Sequence, residues 1–117
     1  MRELTNIRTA TDARITILRG GKIRLSARAC AILGIRPVEP YITFYEDHGK
    51  IFIANAHSPS GYMTSPLQRR AELNSSRLAQ ILAESLNGYG IYRIKEEDYT
   101  LVNGATCYRI SDVKYEK

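Results

Sequence analysis

Residues 20–54 read GGKIRLSARACAILGIRPVEPYITFYEDHGKIFIA, and this stretch decides the fold because it holds three elements in succession. Polar and apolar side chains alternate over residues 22–25, which is the period of a half-buried strand. Ser26 follows at the position of a helix N-cap, and Gly34 is a typical helix end. One apolar stripe with helical spacing, which begins just before Ser26, predicts a short helix: Leu25, Ala29, Ile32 and Leu33.

A β-hairpin is expected after this helix. Pro37 prevents the helix from resuming, and residues 41–45 return to the alternating pattern of a strand. Asp47-His48-Gly49-Lys50 is a typical turn, and residues 51–53 alternate on the way back. In front of this unit, residues 14–19 predict one more strand, which reaches it through the Gly20-Gly21 turn.

The second half predicts a longer helix. Asn74 is its expected N-cap, and Asn87-Gly88 is its expected end. Leu73, before the cap, is placed to pack on Leu78 as a hydrophobic staple. The apolar residues with helical spacing are Leu78, Ile81, Leu82 and Leu86.

Three short strands are predicted to follow the second helix, over residues 90–95, 99–102 and 106–111. Asn103-Gly104 is a strong signal for a two-residue hairpin turn. The acidic residues 96–98 are interpreted as a solvated turn between strands.

These elements predict the α+β class, with antiparallel sheet and two short helices. Leu73-Asn74 takes the same positions before the second helix as Leu25-Ser26 takes before the first, roughly 50 residues earlier. A duplication would therefore give two helix-plus-hairpin units with pseudo-twofold symmetry. Chance similarity between apolar positions is the alternative. We expect residues 1–117 to be a single domain, with possible sub-units 13–56 and 66–111 joined by loop 57–65.

The composition indicates a folded protein without a membrane segment. The hydrophobic fraction is 44%, and no apolar run approaches the ~18 residues that a membrane-spanning helix needs. Arg2 and Glu3 lead into a polar segment rather than a signal peptide. Cys30 and Cys107 are far apart and outside any CxxC spacing, which favours free thiols. A cytoplasmic location is therefore expected.

Positive charge is concentrated near the N-terminus. Residues 1–28 hold seven basic and two acidic side chains, which accounts for the whole net charge of +5. Twelve of the 17 basic residues are arginines, whose planar guanidinium groups suit phosphate and guanine contacts. This pattern predicts an electrostatic footprint for nucleic acid; the alternative is a solvated strand edge protected by charge.

The same stretch resembles the AbrB/SpoVT-type swapped-hairpin DNA-binding domain. The resemblance covers residues 20–54 and departs from the family at Ser26, where Pro is usual, and at Val38-Glu39 or Glu39-Pro40, where Gly-Asp is usual. It implies DNA binding by a dimer. The matching residues are Gly21-Lys22-Ile23, Leu25, Leu33-Gly34-Ile35, Pro37, Phe44, Gly49 and Ile51.

The order of elements over nearly the whole chain also looks like that of small uncharacterised bacterial proteins of the Bacteroidetes type. That resemblance rests on Gly61-Tyr62 after a loose loop, Pro66-Leu67, and residues 73–76 before a helix and a final hairpin. It implies an α+β fold similar to single-strand-binding transcriptional coactivators, and it implies no site residues.

No catalytic or metal-binding motif emerges. His48 and His57 have no Cys, Asp or Glu at ligand spacing, and Ser58 and Ser60 lack a Gly-x-Ser-x-Gly context. We therefore expect no enzymatic activity, no cofactor and no metal ion.

These observations together predict a non-enzymatic nucleic-acid-binding protein, a small DNA-binding transcriptional regulator that acts as a homodimer. Duplex DNA is favoured, and a single strand is the first alternative, with bases stacked on Tyr41 and Tyr45. The second alternative is a protein–protein interaction module with an acidic partner. The residues expected at phosphates are Arg14, Arg19, Lys22, Arg24, Ser26 and Arg28, with Arg69 and Arg70 as a second patch.

Overall fold

The computed structural model describes residues 12–36, 40–56, 61–67 and 70–114. Two helices are present in the described residues, α1 (Ala27–Leu33) and α2 (Ser76–Ser85). The nine strands are β1 (Arg14–Ile17), β2 (Lys22–Leu25), β3 (Tyr41–Asp47), β4 (Lys50–Asn55), β5 (Tyr62–Met63), β6 (Ser65–Leu67), β7 (Arg70–Asn74), β8 (Gly90–Val102) and β9 (Ala105–Lys114).

All nine strands belong to one sheet, in the order β5-β3-β4-β9-β8-β1-β2-β7-β6. Neighbouring strands pair antiparallel throughout. The hairpins β3–β4 and β8–β9 join through Ile51 and Ile110, and β8 then pairs with β1 through Tyr92 and Ile15. Because of these long-range pairings, the first strand, β1, lies beside the last hairpin, β8–β9, at the centre of the sheet.

The sheet curls into a nearly closed barrel, and Thr64 lies at the closure. β5 and β6 are the two edge strands of the sheet, yet only Thr64 separates them along the chain, so the two edges must lie close together. Thr64 is 1% exposed, and its N–H and Oγ1–H both donate to the carbonyl oxygen of Pro40, each at 2.8 Å. Of the linker predicted over residues 57–65, residues 57–60 lie outside the described residues.

One face of the sheet forms the hydrophobic core. Alternation along the strands sends every second side chain inward, where both helices cover it. α2 contributes Leu78 and Leu82, and α1 contributes Ala29 and Leu33. The strand residues at the centre of the core are Ile15, Ile17, Ile23, Leu25, Ile42, Ile53, Tyr92, Ile94 and Ile110.

The caps of α1 follow the sequence prediction. Ser26 has extended backbone geometry, and its Oγ accepts a hydrogen bond from Ala29 N at 3.3 Å. Gly34 ends the helix at φ +69°, and its N–H donates to Ala31 O at 3.2 Å. Asn55 on β4 also closes this end, because its Nδ2 donates to Leu33 O at 2.7 Å. Pro37 lies outside the described residues.

The N-cap of α2 was predicted one residue too early. Ser75 is the cap, and its Oγ accepts a hydrogen bond from Leu78 N at 3.2 Å. Asn74 is instead the last residue of β7, where it pairs with Lys22. Both side chains are competent caps, and the strand pairing of Asn74 decides between them. Neither helix in the described ranges is long and apolar enough to cross a membrane.

The predicted α+β class with two helix-plus-hairpin units is wrong. Strands make up 57% of the described residues, and they form one barrel-like sheet rather than two repeated units. The sequence pattern correctly located the short helix and the turns at Gly49 and Gly104, which take positive φ. It could not show strand pairing, because alternation fixes which face a residue occupies and not which strand lies beside it.

The acidic run was also wrongly predicted to be a turn. Residues 96–98 lie inside β8, which continues from Gly90 to Val102 without a break. The register with β9 shifts between Lys95 and Tyr99, so the extra residues are absorbed as a bulge within the ladder.

Candidate nucleic-acid interface

A cluster of basic side chains lies on the outer face of the sheet. The cluster comprises Arg14 on β1, Lys22 and Arg24 on β2, and Arg93 on β8, and we call it the basic face. These positions alternate with buried core residues, which fixes their outward direction. The strands β8, β1 and β2 are consecutive neighbours in the sheet, so the structure brings the four side chains onto one surface.

Arg14 and Arg93 are direct cross-strand partners in the β1–β8 ladder. Like charges in this relationship destabilise a sheet unless other groups compensate. Carboxylates on the same surface do so in part. Asp12 lies 3.4 Å from Arg14 Nη2, and Glu97 accepts from both terminal nitrogens of Arg93 at 3.1 and 3.2 Å. A hydrogen bond from the backbone N–H of Glu97 lowers the pKa of its own carboxyl, and the hydrogen bond from Arg93 lowers it further.

Lys22 and Arg24 share one carboxylate, that of Glu72 on β7. Glu72 is the cross-strand partner of Arg24, and its carboxylate lies 3.1 Å from Arg24 Nε and 3.7 Å from Lys22 Nζ. Two cations against one anion leave this part of the surface with an excess positive charge. The side chain of Arg24 remains 49% exposed, so a further anion has access to it.

Ser26 is fully engaged inside the protein. Its Oγ accepts from Arg14 N at 2.9 Å as well as from Ala29 N, and it donates to Asp12 O at 3.1 Å. This hydroxyl ties β1 to the start of α1. The prediction that backbone N–H groups at this end of α1 contact a phosphate stays a prediction.

Arg28 forms a two-pronged ion pair across the fold. Its Nε and Nη2 donate to the carboxylate of Glu96 at 2.9 and 2.8 Å, which is the geometry of a bidentate pair. The hydrogen bond from Arg28 lowers the pKa of Glu96, and the same hydrogen bond raises the pKa of Arg28. Arg28 therefore links α1 to β8 through this ion pair.

The acidic run on β8 serves as a set of counter-charges. Glu96 pairs with Arg28 and Glu97 pairs with Arg93, while Asp98 lies 3.5 Å from Arg109 on β9. Three arginines from three elements are thus held by three consecutive carboxylates. The pairing explains why an acidic segment tolerates a place inside a strand.

Arg19 lies apart from the basic face, in the turn between β1 and β2. Its Cζ is 4.9 Å from the centroid of the Tyr89 ring, which is a cation–π distance. In the second predicted patch, Arg69 lies outside the described residues, and only the backbone of Arg70 is described, as part of β7.

The two tyrosines of the single-strand alternative lie on β3. Tyr45 is 39% exposed, and Tyr41 is half-buried. β3 is four strands away from β1 in the sheet order, which corresponds to roughly 19 Å along the sheet. A row of cross-strand partners nevertheless leads from Tyr45 through Phe52 and Arg109 to Lys95 on β8.

Sequence reasoning missed Arg93. The charge count drew attention to residues 1–28, and Arg93 belongs to a region with balanced charge. The alternation of Tyr92, Arg93 and Ile94 did indicate an outward side chain, but only the β1–β8 pairing puts Arg93 beside Arg14. Long-range pairing of this kind leaves no local signal.

The cysteine and histidine side chains of the described residues lie apart from the basic face. Burial raises the pKa of the Cys30 thiol to about 11, and it also raises the pKa of Cys107. His48 Nδ1 lies 2.8 Å from Asp47 Oδ1 on an exposed turn, and His57 lies outside the described residues. Within the described ranges, no three His, Cys, Asp or Glu side chains are grouped to hold a metal ion.

No family model, curated protein or solved structure matches this chain.

Proposed function

We propose that this chain is a non-enzymatic nucleic-acid-binding protein, a small regulator that binds duplex DNA through the basic face. Binding would be mainly electrostatic, with Arg14, Lys22, Arg24 and Arg93 at the phosphates. Arg93 is added to the residues predicted from the sequence because it is the cross-strand partner of Arg14. Arg28 pairs with Glu96 outside the basic face, and its contact with a phosphate stays a prediction.

The observation that carries the proposal is the pairing of Arg14 with Arg93 on adjacent strands. Two arginines that are cross-strand partners on an open sheet surface repel each other, and Asp12 and Glu97 offset this repulsion only in part. The pairing becomes favourable when one polyanion contacts both arginines. Arg24 is a diagonal neighbour of Arg14, at about 7–8 Å, so the cluster extends over a third strand.

The ion pairs on the basic face do not prevent this role. They are exposed, since the side chains of Arg14, Arg24 and Arg93 are 33%, 49% and 44% accessible. Exposed pairs contribute about 0–1 kcal/mol in general, so a phosphate can replace the carboxylate as partner at little cost. The carboxylates also hold the guanidinium groups in place before a ligand arrives.

The single-strand alternative is favoured by one observation, the row from Tyr45 to Lys95. A strand that stacks a base on Tyr45 would run past Arg109 and Lys95 toward the basic face. The duplex account does not use Tyr45. Tyr45 is therefore the residue whose loss distinguishes single-strand binding from duplex binding.

The experiment that tests the proposal is fluorescence anisotropy with labelled duplex and single-stranded DNA of random sequence, at low and moderate salt. Duplex binding that weakens log-linearly with salt supports the proposal. Tighter binding of the single strand than of the duplex would instead support the alternative, in which a single strand binds along the row from Tyr45 to Lys95. An absence of binding to either DNA at low salt rejects both and leaves the interaction-module alternative.

Two further predictions accompany the proposal. The regulator is expected to act as a homodimer, which light scattering on the purified chain measures directly. A cytoplasmic location is consistent with the free thiols of Cys30 and Cys107.

A further inference from the structure

Two cations outside the basic face, Arg19 and Lys114, contact Tyr89. Arg19 approaches the ring of Tyr89 from the β1–β2 turn, with its Cζ 4.9 Å from the ring centroid. Lys114, at the end of β9, approaches the backbone, and its Nζ donates to Tyr89 O at 3.4 Å. The two residues are 95 positions apart along the chain, and the strand order brings them together.

The position of Lys114 depends on Gly90. A Cβ at Gly90 would come 2.6 Å from Lys114 Cδ and 3.4 Å from its Cγ, so the absence of a side chain allows the lysine stem to lie across this residue. Gly90 also has φ +155°, which side chains rarely adopt. Packing of the Lys114 stem against Gly90 therefore fixes the direction of its ammonium group.

An open cleft of about 470 Å³ lies between these cations and α2. Arg19, Tyr89 and Lys114 line one side, and Gln80 and Glu84 of α2 line the other. The carboxylate of Glu84 accepts a hydrogen bond from Gln80 Nε2 at 3.3 Å. The cleft thus holds two cations against one carboxylate, and that carboxylate already has a neutral partner.

Arg19 and Lys114 differ in this respect from the other cations with described contacts. Arg24, Arg28 and Arg93 each have a carboxylate within 3.1 Å. Within the described part of the chain, the contacts of Arg19 and Lys114 are instead an aromatic ring and a carbonyl oxygen. Two positioned cations that line one cleft, and that have no carboxylate partner among the described residues, suit an anion that can accept from both.

We infer that this cleft is a phosphate subsite, in which Arg19 and Lys114 donate to the oxygens of one phosphate group. The phosphate belongs either to a free nucleotide or to the end of a nucleic-acid strand. Arg19 supplies a planar fork that suits two phosphate oxygens, and Lys114 supplies a point charge on the other side. The subsite is separate from the basic face and does not require that face to bind DNA.

Isothermal titration calorimetry on the full chain tests this inference. The probes are inorganic phosphate, adenosine triphosphate in the presence of a chelator, and a short thymidine oligonucleotide with and without a 5′-phosphate. We expect one molecule of a phosphate-bearing probe to bind per chain. Tighter binding of the triphosphate assigns the subsite to a free nucleotide, and a gain from the 5′-phosphate assigns it to a strand end.

Matched variants show whether the cleft is responsible. Arg19→Gln and Lys114→Met should each weaken binding about tenfold or more, and Lys114→Met keeps a stem over Gly90. Arg77→Gln, at an exposed arginine of α2 that does not line the cleft, should bind as the unmodified chain does. Arg14→Gln should affect DNA binding but not triphosphate binding, which separates this inference from the proposed function.

Two results would overturn the inference. One is an absence of heat and of any shift in the unfolding temperature with millimolar phosphate or triphosphate. The other is equal affinity in the unmodified chain and in the Arg19→Gln and Lys114→Met variants, with all of them folded by circular dichroism.

Discussion

Arg28 and Glu96 form a bidentate ion pair, with 2.9 and 2.8 Å between donors and acceptors, although 68 positions separate them along the chain. The pair fastens the first turn of α1 to the bulged part of β8. An arginine that sequence reasoning assigned to a ligand is thus a structural link in the described protein. The next two carboxylates of β8 pair in a similar way, Glu97 with Arg93 and Asp98 with Arg109.

This pair predicts a pH dependence of stability. The hydrogen bond from Arg28 holds the pKa of Glu96 below its ordinary value of 4.5. A carboxyl with a lowered pKa in the folded state stabilises the protein above its unfolded pKa, and this contribution is lost as the pH falls through the folded pKa. Glu96→Gln should therefore unfold at a lower temperature at pH 7 and lose less stability between pH 5 and pH 3.

Thermal unfolding followed by circular dichroism across this pH range measures the effect. Glu46→Gln is the matched control, because Glu46 is an exposed carboxylate on β3. The control should keep the pH dependence of the unmodified chain. Parallel curves for Glu96→Gln and the unmodified chain would show that the ion pair makes no contribution.

The turn between β1 and β2 supplies a second prediction, at two adjacent glycines. Gly20 and Gly21 have nearly equal φ, +101° and +102°, so alanine is strained at both, by about 1–3 kcal/mol. A Cβ at Gly20 meets nothing within 4 Å, whereas a Cβ at Gly21 lies 2.9 Å from the backbone nitrogen of Ser76 at the start of α2. Gly21→Ala should therefore destabilise the fold more than Gly20→Ala.

Urea unfolding of the two variants isolates the close approach, since the backbone strain is common to both. The difference between their free energies of unfolding reports the clash of the new Cβ with α2. Equal losses in the two variants would mean that α2 moves away freely and does not depend on this turn.

The barrel closure supplies a third prediction. Thr64 Oγ1–H donates to Pro40 O at 2.8 Å, and the side chain is almost fully buried. Thr64→Val removes this hydrogen bond while keeping the shape, and it should lower the free energy of unfolding by about 0.5–1.5 kcal/mol. The backbone bond from Thr64 N to Pro40 O remains in the variant.

Thr100→Val is the control for the closure, because it makes the same chemical change at an exposed position of β8. It should alter the free energy of unfolding by less than about 0.5 kcal/mol. A Thr64→Val variant as stable as this control would indicate that the hydroxyl is not needed to fasten the β5–β6 connection to Pro40.

Structural features that depend on residues close together in the chain could be predicted from the sequence, whereas features that depend on distant residues could not. The caps of α1, the turns at Gly49 and Gly104 and the outward direction of Arg24 follow from nearest neighbours and periodicity, and the structure agrees with them. The pairing of β4 with β9 and of β1 with β8 depends on residues far apart in the chain, and alternation alone is equally compatible with other strand orders.

The candidate site shows the same division. The sequence pointed to Arg14, Lys22 and Arg24 by their charge and alternation. It could not find Arg93, which becomes their neighbour only through the β1–β8 ladder, or Glu72, which joins Lys22 and Arg24 through β7. It also could not foresee that Arg28 would be occupied by Glu96.

A fourth prediction separates duplex binding from single-strand binding. Tyr45 contributes nothing to the duplex account, so Tyr45→Leu should leave duplex affinity within about twofold. If a single strand is the ligand, loss of one stacking ring should cost about 1–3 kcal/mol of binding free energy. Tyr99→Leu, at an exposed tyrosine of β8, is the control for a general loss of aromatic surface.

The most direct measurement for the basic face is the salt dependence of duplex binding in the Arg14→Gln/Arg93→Gln double variant, compared with the unmodified chain and with Arg77→Gln. Each phosphate contact contributes about −0.9 to the slope of log affinity against log salt for duplex DNA. The account predicts that the double variant binds more weakly and that its slope is shallower by about 1.8, while Arg77→Gln retains both values. An unchanged affinity and slope in the double variant would contradict the central claim that these paired arginines bind the DNA backbone.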